Sequence, residues 1–236
     1  VQYFRAPSAR RIVNASLVIG VAFVVFGMSF GVLAVGAGAS VWQACVMSLL
    51  VFTGASQMSA VSVLAAGGTA ASALGGAVLL GARNAVYGLA MSPVIGESKW
   101  YSRIIGAQWV IDETTALVSA EKSAMERRVA FWVSAPILYA AWNIGTLFGA
   151  LLGNSINPKT FGLDAAFPVM FTAMVVPHLR TRAGRRAAFF GALASVALAP
   201  FMPIGLPILV SALGMLFGLS PKEDIAASEP VTDGAP

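Results

Sequence analysis

The amino-acid sequence predicts an all-α fold, a polytopic bundle of transmembrane helices, and three observations carry that expectation. Hydrophobic residues fill 58% of the 236 positions, charged residues only 11%, and the mean hydropathy is +0.80. A soluble domain carries about 25% charged residues. The apolar runs are unbroken over about 17–25 residues, the length of a spanning helix, whereas a β-barrel alternates apolar and polar residues in strands of roughly ten. The charges fall mostly in short clusters between these runs, as loops at a membrane surface do. The net charge of +5 is therefore a topological signal, and no nucleic-acid partner is expected.

Taken in order, the candidate spans are 13–36, 41–64, 70–92, 104–120, 129–152, 164–178, 187–200 and 203–219. That makes eight, or seven if Pro200, Pro203 and Pro207 fold the last apolar block into one re-entrant unit. Residues 1–12 read as a cytoplasmic N-terminus, 13–219 as the transmembrane domain and 220–236 as a polar, proline-containing disordered tail. The first apolar run begins after Arg11 and is too long for the h-region of a signal peptide, so it reads as a retained span. With eight spans and the N-terminus inside, the cytoplasmic segments hold Arg5, Arg10, Arg11, Lys122, Arg127, Arg128, Arg180, Arg182, Arg185, Arg186 and Lys222. The outer loops then hold only Lys99, Arg103 and Lys159, a bias that supports N-in, C-in. Cys45 is the only cysteine, which excludes an internal disulfide and a multi-cysteine metal site.

A weak internal repeat runs through the chain. SFGVLAVGAGAS (29–40) echoes LFGALLGNSI (147–156), and each is followed by Phe-Thr, at Phe52-Thr53 and Phe171-Thr172. Repeats are common in transporter folds, with the site at their interface.

Polar groups inside apolar runs are the candidate functional residues. In the second run, VFTGASQMSA (51–60) places Thr53, Gly54, Ser56 and Gln57 at mid-membrane. Small residues and hydroxyls there serve helix packing, but the Gln57 amide needs several partners. Two readings stay open: close packing, or a broken helix at Gly54 whose freed groups contact a polar solute together with Ser56 and Gln57. In the third run, GARNAVYG (81–88) carries Arg83, which cannot shed its charge and must be paired or hydrated. It either locks to Asp112 or Glu113 of WVIDETTAL (109–117) or holds a substrate carboxylate through parallel hydrogen bonds. Tyr87 lies one turn beyond Arg83 on the same face, and Asn84 about 100° away. Asp112 and Glu113 are adjacent in sequence, so they point in different directions on a helix. Acids at this depth suit proton coupling, recognition of a substrate ammonium, or structural pairing. Asp164 reads as an acid at a helix N-terminus and His178 as an interfacial residue beside Arg180–Arg186.

No His-Glu-x-x-His, P-loop or Ser/His/Asp signature is present. No enzymatic activity, metal or cofactor is expected.

Four segments together resemble the AzlC family of branched-chain amino acid permeases: SLLVFTGASQ (48–57), ARNAVYGLAMSP (82–93), DET (112–114) and FGLDAAFPVMF (161–171). The order and spacing carry the resemblance, which runs from about Phe30 to Leu219. It implies a multi-pass protein of the bacterial inner membrane that exports valine, leucine, isoleucine, methionine and similar amino acids. It also implies a small second membrane subunit of the AzlD type and coupling to the proton motive force. On the physical reading of the residues, the substrate set is Gly54, Ser56, Gln57, Arg83, Asn84 and Tyr87, with Asp112 and Glu113 as coupling acids. Two other readings of the same composition are a non-transporting membrane scaffold and a channel for small neutral solutes.

Overall fold

The computed structural model describes residues 7–96, 99–153, 178–202 and 206–218, with positions 169, 172, 175 and 176 between them. Every regular element among the described residues is a helix, as expected. Contacts divide the chain into two compact units, residues 1–169 and 170–236.

The first unit contains α1 (Pro7–Gly36), α2 (Val41–Leu50), α3 (Ala55–Ala65), α4 (Ala70–Ile95), α5 (Trp100–Gln108), α6 (Asp112–Ser119) and α7 (Ala124–Leu152). Helix starts are fixed by hydroxyl caps. Ser40 Oγ accepts from the Gln43 amide, and Ser123 Oγ accepts from the Glu126 amide while Glu126 reaches back, the reciprocal pattern that satisfies free N–H groups. Thr69 caps α4. Three helices, Ala9–Gly36, Ala70–Ile95 and Ala124–Leu152, are long and apolar enough to cross a membrane.

α1 and α7 meet backbone to backbone. A Cβ at Gly27 or Gly31 would strike the carbonyls of Trp142 and Thr146, and a Cβ at Gly145 or Gly149 would strike those of Val24 and Met28. Each helix thus contributes a Gly-x-x-x-Gly pair, which lets two helices approach closely where side chains would hold them apart. Residue numbers rise together along the seam, so the helices are parallel. Trp142 of α7 stacks on Phe30, with centroids 6.1 Å apart, and meets the edge of Phe23 at 5.8 Å.

α4 runs the other way. Its last turns, Met91, Val94 and Ile95, join one buried cluster with Ile12 near the start of α1 and with Ala130 and Phe131 near the start of α7.

The segments between these long helices are hairpins of half-length helices. Gln57 Nε2 donates to the Met47 carbonyl at 3.2 Å, although ten helical residues would put them about 15 Å apart. Met47 also packs against the cluster of Ala60, Val63 and Ala73. α3 pairs antiparallel with α4, since a Cβ at Gly81 meets Ser56 and one at Gly76 meets Ser59. α2 therefore descends, the chain turns at 51–54, and α3 returns. The α5–α6 segment does the same from the opposite end. α5 lines a groove with α4, and the two helices touch where Gly106 packs against the Ile95 side chain. α6 then runs back from Asp112 at Arg83 to Val118 and Ser119 beside Met91 and Val94.

The break at Gly54, one of the two readings open in the sequence, is present, and a second break at 109–111 was not anticipated. Runs 41–64 and 104–120 read as full spans because hydropathy sums over a hairpin as it does over a helix. Each arm is only 8–11 residues long, about half the bilayer core. The hairpins also correct the side expected for Lys99 and Arg103. They lie at the same end as Arg10, Arg11, Lys122, Arg127 and Arg128, because α4 ends there and α5 begins there. No charged residue occurs between Arg11 and Arg83, so the end formed by 36–40 and 65–69 carries none. At the charged end, Arg11 Nη2 holds both oxygens of the buried Glu121 at 2.7 Å, and Arg127 Nε donates to the Glu121 carbonyl.

The second unit contains α8 (Arg182–Leu198), capped by the Thr181 hydroxyl, then α9 (Leu206–Ser211) and a 3₁₀ turn, Ala212–Gly218. Gly191 of α8 and Gly214 pack against each other. The 161–171 segment with Asp164, and the 220–236 tail, lie outside the described residues.

Candidate functional site

The two hairpin tips meet at the middle of the first unit. The end of α2 cannot continue its hydrogen bonding past Leu50, so its last carbonyls need outside donors. Gln108 Nε2, from the end of α5, donates to the Leu50 carbonyl at 2.7 Å and lies 3.4 Å from that of Leu49. Tyr139 of α7 donates its hydroxyl to Leu49 at 2.9 Å. Gln57 supplies the bond to Met47. The second tip is closed by Thr114, whose Oγ1 accepts from the Ile111 amide and lies 3.0 Å from the Trp109 carbonyl. Side chains thus satisfy irregular backbone at membrane depth, the condition on which such backbone is tolerated.

Gly54 makes the first turn possible. Its φ is +28°, and a Cβ there would lie 3.3 Å from the Trp142 ring. α3 begins immediately after it with no side-chain cap; the Ser56 N–H bonds to the Thr53 carbonyl, and the remaining first-turn N–H groups and the positive dipole end are left at the tip. α6 begins there too, carrying Asp112 and Glu113 in its first turn.

Arg83 of α4 reaches across to α6. Arg83 Nη2 and Asp112 Oδ2 are 2.7 Å apart. The pair engages only half of each group, because Arg83 Nε and Asp112 Oδ1 are buried without a hydrogen-bond partner. Thr53 Oγ1, Ser56 Oγ, Gln57 Oε1, Thr115 Oγ1 and Trp142 Nε1 are in the same condition, as is Ser134 Oγ earlier in α7. Ser56 and Gln57 are themselves almost fully buried. Buried polar atoms are normally paired, so a concentration of unpaired ones, donors and acceptors together, marks a place built to receive polar groups. Chemically, Arg83 Nε and the start of α3 complement a carboxylate, and Asp112 Oδ1 complements an ammonium.

Of the residues expected at the site, Arg83 and Asp112 pair directly, and Gly54, Ser56 and Gln57 lie on the first hairpin, where Ser56 faces Gly81 of α4, two residues before Arg83. Glu113 is within electrostatic range of Asp112 and Arg83, and Tyr87 stands beside Asp112. Asn84 does not join them; it lines the groove between α4 and α5. Gln57 is divided in role, since its Nε2 braces the hairpin and its Oε1 is left open. Gln108, Thr115 and Trp142 were not anticipated. A glutamine beside an acid pair in an apolar run is a usable signal for Gln108, whereas Trp142 in an apolar helix reads as ordinary core. Among the described residues, no group of three or more His, Cys, Asp or Glu could hold a metal ion.

Comparison with known proteins finds bacterial membrane proteins. Two membrane proteins of Helicobacter pylori, both named only as uncharacterized, are 28% identical over 203 and 200 residues, covering 83% and 81% of this chain and 88% and 87% of theirs. Inner membrane protein YgaZ of Escherichia coli K12 is 26% identical over 193 residues, 78% of this chain and 79% of its own length. No solved structure matches. The profile of the AzlC protein family matches residues 18–156, which hold both hairpins and every converging side chain. This chain belongs to the AzlC family.

Proposed function

We propose that this chain is a carrier that exports branched-chain and similar apolar amino acids, valine, leucine, isoleucine and methionine among them. The observation behind this reading is the half-used Arg83–Asp112 pair. It presents one open cationic nitrogen and one open anionic oxygen at the meeting point of two re-entrant hairpins, matching the two ends of a zwitterion. The substrate carboxylate takes Arg83 Nε and the α3 start near Ser56, and its ammonium takes Asp112 Oδ1. Asp112 and Glu113 are the groups available for coupling to the proton motive force.

In this reading the chain lies in the inner membrane, as the name of its Escherichia coli relative says of that protein. Its N-terminus faces the cytoplasm, because Arg10, Arg11, Lys122, Arg127 and Arg128 gather at the N-terminal end while the turns 36–40 and 65–69 at the other carry no charge. It works as the larger subunit of a two-component permease, with a small AzlD-type membrane partner, and catalyses no covalent step.

A second reading has its own support. A closed 2.7 Å ion pair is also what a purely structural lock between α4 and α6 provides. Counterflow of labelled valine into reconstituted vesicles separates the two, with and without the small subunit and a proton gradient. A carrier shows saturable counterflow that needs this chain. Full-rate transport by the partner alone makes this chain a scaffold, and flux without saturation makes it a channel.

A further inference from the structure

We propose that the groove between α4 and α5 is a binding site for an anionic phospholipid. It opens on the outside of the first unit and has a volume of about 690 Å³, within the roughly 300–1,000 Å³ of a site for one ligand. Its floor is made of small residues, Ala85, Gly88 and Ala107, which leave a furrow along two helices lying in the hydrocarbon layer. A Cβ at Gly88 would meet nothing within 4 Å, so the furrow is open there. The groove is mostly apolar, with polar groups toward its two ends and the Ser92 hydroxyl between them, which donates to the Leu89 carbonyl. Arg103 and Trp100 flank it near the end where the unit's basic residues collect, and the half-buried Asn84 stands at its deep end.

That order matches a phospholipid. Arginine and tryptophan belong at headgroup depth, where a long cationic side chain extends to the phosphate. The small-residue furrow accepts an acyl chain. The charge selects the lipid: among the described residues that line the groove the charged side chain is Arg103, and Lys99 stands one residue before Trp100, so an anionic headgroup gains from both. A zwitterionic lipid would fill the furrow but gain less from Arg103.

Native mass spectrometry of the purified chain, supplied with equal phosphatidylglycerol and phosphatidylcholine, tests this directly. Retention should favour phosphatidylglycerol by about fivefold, the ratio that one basic residue provides at an anionic surface. Arg103→Gln should remove that preference while leaving some lipid bound. Gly88→Leu, which projects into open space and leaves the fold intact, should lower retention of both lipids. Thermal unfolding of each variant checks the fold independently. Equal retention of the two lipids by the wild type, or unchanged retention in Gly88→Leu, overturns the site. So does displacement of bound lipid by the small membrane subunit with cross-links from position 88 to it, since the groove would then be a protein interface.

Discussion

Replacing Asp112 by Asn tests the joint between α4 and the second hairpin. The substitution keeps shape and removes the charge facing Arg83 Nη2 at 2.7 Å. Breaking a buried ion pair from one side costs about 3–5 kcal/mol, because the remaining charge is left without a partner. Two features of the structure reduce that figure. The Arg83 and Asp112 side chains retain 34% and 22% exposure, and Glu113 lies within range to attract the guanidinium. A cost of about 2–3 kcal/mol follows, or about 4–12 °C in unfolding midpoint for a chain of this size. Arg83→Gln should cost a similar amount, since it leaves Asp112 and the nearby Glu113 without the guanidinium that offsets their charge. The double variant removes both charges, and should be more stable than the sum of the single effects by about 1–2 kcal/mol. Midpoints can be read by size exclusion of a fluorescently tagged chain after heating. Valine counterflow should be lost in all three variants, because the partial recovery of stability does not restore the two open atoms. Additive midpoints would refute the pair, and wild-type counterflow in the double variant would refute its role in binding.

Other outcomes are also specific. Gly149→Ala drives a Cβ into the Met28 backbone and should destabilise by about 1–3 kcal/mol or more, whereas Gly88→Ala meets open space and should be neutral or stabilising by up to about 1 kcal/mol; melting curves compare them. Gly54→Ala combines a φ of +28° with the Trp142 ring at 3.3 Å, so a loss of about 1–3 kcal/mol and of counterflow is expected. In a Cys45→Ser background, Ser40→Cys and Ala66→Cys should react with an impermeant maleimide from one side of the membrane, and Lys99→Cys and Lys122→Cys from the other. Labelling of positions 40 and 66 from opposite sides would mean that α2 and α3 cross the membrane together.

The helical class and the charged cluster were legible in the sequence for the same reason. Apolar runs announce helices in lipid, and Arg83, Asp112 and Glu113 stand out because their surroundings are so uniform. The break at Gly54 was also visible, as a glycine among polar groups where a span should be apolar. The return of the chain was not, since Val41–Ala65 has the length and hydropathy of one crossing whether straight or folded back. What decides is tertiary: Gln57 and Gln108 bind the carbonyls left at the end of α2, and neither partner can be inferred from periodicity. Asn84 illustrates the opposite error. One position from Arg83 suffices to turn its side chain by a quarter-circle, out of the site and into the lateral groove.

The glycine seam between α1 and α7 has a mechanical consequence. Where the two helices touch through main-chain atoms, at Gly27, Gly31, Gly145 and Gly149, no side chain is there to repack, so neither can slide or roll without opening the contact. They form a fixed post. Any exposure of the site first to one face of the membrane and then to the other must therefore come from the parts held by side chains, the two hairpins and α4. Those parts are joined across the centre by a single charged bridge and a few amide bonds, the kind of fastening that a bound solute can exchange for its own.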